Sequence, residues 1–71
     1  MLIRKHIGIG QQRTTLALEP PFWTVIEALA GDNGARAWTE AQLQHRPDTI
    51  GQASWIRQQV LGEVVKKTDF A

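Results

Sequence analysis

Seven residues near the N-terminus decide the fold: Gln12-Arg13-Thr14-Thr15-Leu16-Ala17-Leu18. Polar and apolar side chains alternate along this stretch, as they do in a strand that buries one face. Its solvent-facing residues are predicted to be Arg13, Thr15 and Ala17, and its core-facing residues Thr14, Leu16 and Leu18. It is the only clear strand that we predict, and a lone strand leaves its backbone groups unpaired. We therefore expect it to pair with the same strand of a second copy.

A first helix is predicted to follow the strand at once. Pro20-Pro21 ends the strand and suits the first turn of a helix. Phe22, Ile26 and Leu29 then recur at helical spacing, with Trp23 beside this stripe and Glu27 on the outer face. The glycine-rich segment 31–34 predicts the end of the helix and a turn.

Two further helices are predicted after this turn. The second is expected from Arg36 to His45, where Pro47-Asp48 breaks it. The third is expected to begin after Thr49 as N-cap, with Gln52 completing a capping box. Its apolar stripe is predicted to contain Ala53, Ile56, Val60 and Val64, and Lys66 and Lys67 suit its C-terminus.

The ends of the chain are predicted to lie outside the domain. Residues 1–10 contain Gly8 and Gly10 and are expected to form a flexible basic arm, and residues 67–71 a frayed tail. The domain itself is then 11–66. The first 18 residues carry three basic side chains and no acidic one, whereas the remainder carries five basic and seven acidic ones. An electropositive N-terminal segment is typical of nucleic-acid binding, although a solvated basic tail has the same composition.

Composition excludes several classes of protein. A chain of 71 residues forms one domain at most, and its small core predicts support from oligomerisation. It has no cysteine and only two histidines, so no metal or other cofactor is expected. No apolar run is long enough for a membrane span or a signal peptide, which predicts a cytoplasmic protein with no membrane partner. No catalytic constellation stands out, and we predict that the chain is not an enzyme.

The order of one strand and then helices resembles the ribbon-helix-helix family of DNA-binding proteins. Two segments carry the resemblance: residues 13–23, with Arg13-Thr14-Thr15 and Leu18-Glu19 before Phe22-Trp23, and residues 52–61, with an aliphatic-arginine pair before Val60-Leu61. They are similar to a bacterial subfamily with an Arg-Thr-Ser strand and a Leu-Glu-x-x-Phe-Trp block. The resemblance implies a mainly α fold with one strand, an intertwined homodimer with a two-stranded antiparallel ribbon, and an additional C-terminal helix.

The resemblance also implies how DNA would be bound. In this family the ribbon lies in the major groove. Base contacts are then expected from Arg13, Thr15 and Ala17. Phosphate contacts are expected from Arg4, Lys5, Arg36 and Ala37, the last two at the start of the second helix, with His6 beside the first two. The expected core and dimer interface comprises Leu16, Leu18, Phe22, Trp23, Ile26, Leu29, Trp38, Ile56 and Val60.

Three functions remain open at this point. The first is a transcriptional regulator, such as a repressor, that binds double-stranded DNA specifically as a homodimer or as a dimer of dimers. The second is a protein-interaction module, for example an antitoxin or a small inhibitor, that uses the dimeric helical body. The third is a protein that coats nucleic acid without specificity. Salt-dependent binding to duplex DNA separates the first from the second, and a specificity ratio separates the first from the third.

Overall fold

An N-terminal β-hairpin packs on three helices. A computed structural model of the chain describes residues 1–68. Most of the tail expected at 67–71 lies outside these residues. The hairpin consists of strands β1 (Ile3–Ile9) and β2 (Gln12–Leu18). The helices are α1 (Pro20–Ala30), α2 (Ala35–Leu43) and α3 (Gln52–Lys67), and a short 3-10 turn (Gly31–Asn33) separates α1 from α2.

The expectation of a flexible arm at residues 1–10 is wrong. Residues 3–9 form β1, which pairs antiparallel with β2 from Ile3↔Leu18 to Ile9↔Gln12. The two strands are joined by Gly10-Gln11, and only Gly10 has a positive φ, of 59°. A glycine in the left-handed region at the first of two turn residues fits a type II′ turn, whose twist matches that of a hairpin. Gly10, which was read as a sign of a flexible arm, therefore forms the turn of the hairpin.

A second expectation changes with the first. The strand at 12–18 has a partner within its own chain, so its pairing does not require a second copy. The alternation predicted for β2 is present, since Leu16 and Leu18 are buried whereas Arg13 and Thr15 are exposed. In β1 the register places Lys5 and Ile7 on the same side as these leucines. We call this side of the hairpin the inner face.

The core lies between the inner face and the helices. Its buried apolar side chains are Ile7, Leu16, Leu18, Trp23, Ile26, Leu43, Ile56 and Val60. Phe22, Leu29 and Trp38, which were expected in it, are only half-buried. The buried stripe of α1 consists of Trp23, Ile26 and Ala30, one position away from the predicted phase. The indole of Trp23 explains the shift, because its N–H donates to the Ile3 carbonyl, 2.8 Å away, and draws the ring beneath the hairpin.

The second helix differs from the predicted Arg36 to His45 at both ends, since α2 runs from Ala35 to Leu43. In α2 the buried residues are Thr39 and Leu43, whereas Ala37 and Ala41 are exposed. The Thr39 hydroxyl is satisfied inside the helix by donating to the Ala35 carbonyl, 2.8 Å away, so it can be buried.

The predicted Thr49 cap is wrong. The N-cap of α3 is Gly51, and no side chain caps this end. Thr49 lies instead in a turn in which the Ile50 N–H donates to the Pro47 carbonyl at 3.1 Å. The Arg46 guanidinium holds the same turn by donating to the Ile50 carbonyl at 2.6 Å.

The last two turns of α3 extend past the core. Leu61 and Val65 are more than half exposed, and Val64 is 37% exposed. Leu61 and Val64 border an open apolar groove, which we call the α1–α3 groove, with two adjoining cavities of about 320 and 120 Å³. Its walls come from the second apolar stripe of α1 and from α3, and they include Phe22, Val25, Leu29, Leu61 and Val64.

A candidate nucleic-acid interface on the hairpin

The outer face of the hairpin, opposite the core, carries positive charge, and no residue of the hairpin is acidic. The register alternates inner and outer pairs, and the outer ones are Arg4↔Ala17, His6↔Thr15 and Gly8↔Arg13. Arg4, His6, Arg13 and Thr15 are exposed, while Gly8 and Ala17 are partly exposed. A surface with this composition can approach phosphates without repulsion.

The central pair of the outer face is joined by a hydrogen bond. The Thr15 hydroxyl lies 3.3 Å from the Nδ1 atom of His6. Side chains directly opposite each other on neighbouring strands are close enough for such contacts. Each outer row of the hairpin is therefore built from both strands, and β1 contributes to a surface that the sequence assigned to β2 alone.

Of the residues expected to contact phosphate, Arg4 lies on this face and Lys5 does not. Lys5 projects toward the helices, where its ammonium group lies 3.7 Å from the Glu27 carboxylate and 5.3 Å from the centre of the Trp23 ring. An acidic neighbour and an aromatic face both hold a cation in place. The expectation that Lys5 meets DNA alongside Arg4 is therefore not supported by the geometry.

Arg36 lies at the edge of the outer face. Its guanidinium donates to Glu40 at 2.9 Å, and its side chain is 67% exposed. A side chain added at Gly8 would meet the Glu40 carboxylate at 3.3 Å and this guanidinium at 3.7 Å, so Arg36 borders the row that contains Arg13. Ala37 follows on the exposed first turn of α2, ahead of the first hydrogen bond of the helix, from the Trp38 N–H to the Gly34 carbonyl.

Glu40 covers the free edge of β1. Its carboxylate accepts a hydrogen bond from the Gly8 N–H and another from Arg36. These two donors, the backbone N–H first, lower the pKa of Glu40, so the side chain stays charged in its partly buried position. This contact fixes the turn end of the hairpin against α2.

The free edge of β2 is not covered in this way. The two-residue turn makes Ile9 and Gln12 a hydrogen-bonded pair, so backbone groups of alternate residues point to opposite edges. The residues of β2 whose N–H and C=O point away from β1 are then Arg13, Thr15 and Ala17. Within residues 1–68 no third strand lies beside them, and no group outside the hairpin bonds to their backbone. An unpaired edge of this kind is a template for another strand.

The other end of the hairpin is anchored by an ion pair. Arg57 of α3 donates to Glu19 through two nitrogens, at 2.7 and 3.0 Å. The hydrogen bonds from Arg57 lower the pKa of Glu19. Glu19 immediately follows β2 and precedes α1, so this contact orients the strand relative to α3. It also pairs the first acidic residue of the chain with a cation.

Sequence reasoning missed that His6 and Gly8 lie in a strand, and it did not single out Glu40 as a site residue. The signal for the first two was present: Ile3, Lys5, Ile7 and Ile9 alternate with Arg4, His6 and Gly8, and a Gly-x pair follows. Glu40 had no such signal, because its role depends on the packing of α2 against β1.

The family follows from a comparison with known proteins. Residues 2–64 match the family model described as the ribbon-helix-helix domain. No curated protein and no solved structure matches the chain. None of the helices within residues 1–68 combines the length and the apolar character that crossing a bilayer requires. The chain belongs to the ribbon-helix-helix domain family, whose members are typically DNA-binding regulators and generally not enzymes.

Proposed function

We propose that the protein is a sequence-specific regulator that binds the major groove of double-stranded DNA through the outer face of the hairpin. The observation that carries the proposal is the exposed cluster of Arg4, His6, Arg13 and Thr15, on a hairpin that has no acidic residue of its own. A two-stranded ribbon fits the major groove, where arginine donates to guanine and threonine donates or accepts. Membership of the family and the resemblance to its bacterial Arg-Thr-Ser subfamily support this function.

The active form is proposed to be a homodimer joined through β2. Two β2 strands that pair along all seven residues have their two-fold axis at Thr15. The ribbon then becomes the centre of a four-stranded sheet, with each β1 on the outside. Support comes from the two edges of the hairpin, because Glu40 covers the edge of β1 and leaves that of β2 open.

The α1–α3 groove is a second element that fits a dimer. It is lined by apolar side chains that the core of one chain does not bury, including the exposed Leu61. Burial of such surface against a partner stabilises association. Leu61→Asp is expected to shift the chain toward monomer in sedimentation, whereas Lys66→Asp, on the same helix outside the groove lining, leaves the distribution unchanged. If the Leu61→Asp variant stays dimeric, the groove is not part of the dimer interface. It would then be a candidate surface for another protein, as in the antitoxin alternative.

The test of the DNA-binding function is selection of bound duplexes from random sequence, followed by binding across salt concentrations. Arg13→Ala is expected to lose about 1–3 kcal/mol of binding to the selected site and to relax preference at one base position in each half-site. Lys66→Ala removes the same charge from the far end of α3 and serves as the matched control. No enrichment of any sequence, or unchanged specificity with Arg13→Ala, contradicts the proposal and favours the protein-interaction alternative.

A further inference from the structure

We propose that His6 is a positioning residue for base recognition, which sets the direction in which the Thr15 hydroxyl bonds to DNA. The inference rests on the proposed function and extends it to β1. Ribbon residues of β2 would otherwise be the only readers of base edges. The His6–Thr15 hydrogen bond makes one residue of β1 part of the recognition surface.

The geometry that carries the inference is the central outer pair. His6 and Thr15 are cross-strand partners, both are exposed, and the hydroxyl oxygen lies 3.3 Å from Nδ1. The charged side chains that the hairpin itself places beside them on this face are Arg4 and Arg13, which cannot accept a hydrogen bond. The Glu40 carboxylate at the edge of the face already accepts from Gly8 and Arg36. Within one chain, the ring of His6 is therefore the acceptor that the outer face offers to the Thr15 hydroxyl.

A threonine hydroxyl has one proton and two lone pairs. When the imidazole carries its proton on Nε2, Nδ1 accepts the hydroxyl proton of Thr15. The oxygen then presents only lone pairs to DNA and selects a base donor, such as the amino group of adenine or cytosine. Without His6 the hydroxyl rotates freely and bonds equally to donors and acceptors, so Thr15 no longer distinguishes them.

Symmetry places this pair at the centre of the proposed dimer. With the two-fold axis at Thr15, the central row is His6, Thr15 and the same two residues of the second copy. The preference set by His6 is therefore expected at the innermost positions of a palindromic site. Arg13 acts at positions farther from the axis.

The experiment uses the full chain at pH 8, the duplex selected by the wild type, its single-base variants at every position, and random duplex. His6→Ala is expected to reduce discrimination at the innermost positions roughly three- to tenfold, as for loss of one hydrogen bond. Binding to random duplex should change little. His6→Asn places an amide oxygen near the position of Nδ1 and is expected to retain most of the preference.

Thr15→Val supplies the coupling test. It removes the hydroxyl, so adding His6→Ala to it should cause no further loss at the same positions. Circular dichroism verifies that each variant is folded.

Two results overturn the inference while the proposed function stands. They are unchanged discrimination with His6→Ala, and an equal loss on selected and random duplex, which would make His6 a phosphate contact. A wild type without any sequence preference overturns both proposals.

Discussion

The two faces of the hairpin are made by the same two strands and differ in their exposure to solvent. On the inner face, Ile7, Leu16 and Leu18 are almost completely buried. On the outer face, Arg4, Arg13 and Thr15 are exposed. Because consecutive side chains of a strand alternate in direction, a shift of one residue exchanges a buried side chain for one on the proposed binding face. The comparison teaches that residues adjacent in sequence, rather than separate segments, form the core and the proposed DNA-binding surface.

Leu16 and Thr15 give the largest expected difference between the faces. Leu16→Ala removes a side chain that is 2% exposed and leaves a cavity, so it should destabilise the fold by about 2–5 kcal/mol. Thr15→Ala, one residue earlier, should cost less than about 1 kcal/mol, the span of strand propensities. Urea unfolding of both variants measures the free energies. Similar losses would show that the faces are not distinct in stability.

Arg4 and Lys5 give a smaller difference, in DNA binding. Arg4→Ala should lower the slope of binding against salt concentration by about one unit, as for one lost phosphate contact. Lys5→Ala removes the same charge from the inner face, where Glu27 and Trp23 hold it, and should leave the slope nearly unchanged. Binding isotherms on random duplex at several salt concentrations decide between them, and equal slopes for the two variants would contradict the assignment of faces.

The smallest effect is expected at the edge of β1, where Glu40 joins the hairpin to α2. Its pKa is lowered below the usual 4.5 by the Gly8 N–H and Arg36, so the charged form favours the folded state. This stabilisation is complete above pH 4.5 and is lost as the pH falls through the lowered pKa. Glu40→Gln keeps the acceptor without the charge, so its melting temperature should fall less steeply than that of the wild type between pH 5 and 3. Parallel melting curves would show that Glu40 contributes no pH dependence.

The first helix could be located from the sequence because both of its boundaries are set by local chemistry. Pro20 begins α1 and Gly31 ends it, and neither effect depends on tertiary contacts. The order of elements together with the motifs in residues 13–23 and 52–61 was enough to indicate the family, which the family model confirms. The phase of α1 was missed by one position, because the hydrogen bond that draws Trp23 inward has its acceptor at Ile3, twenty residues away.

The candidate site was predictable only in part, for a similar reason. Alternation in β2 distinguishes Arg13 and Thr15 from Leu16, and the same rule applied to residues 3–9 predicts β1 and separates Arg4 from Lys5. Gly8 and Gly10 were instead taken as evidence for a flexible arm. The contact between Glu40 and Gly8 cannot be predicted from local sequence, because it depends on how α2 packs against β1.

The turn at Gly10 also bears on the order in which the protein folds. Strands joined by two residues meet through local contacts, and hairpins of this kind form within about 1–10 μs. A ribbon made solely from two separate chains must wait for their encounter before any strand pair exists, so its folding rate depends on protein concentration. Here the first strand pair closes at a rate independent of concentration. Refolding of the proposed dimer should accordingly show a fast unimolecular phase and then a bimolecular one, in which the β2 edges of two hairpins pair.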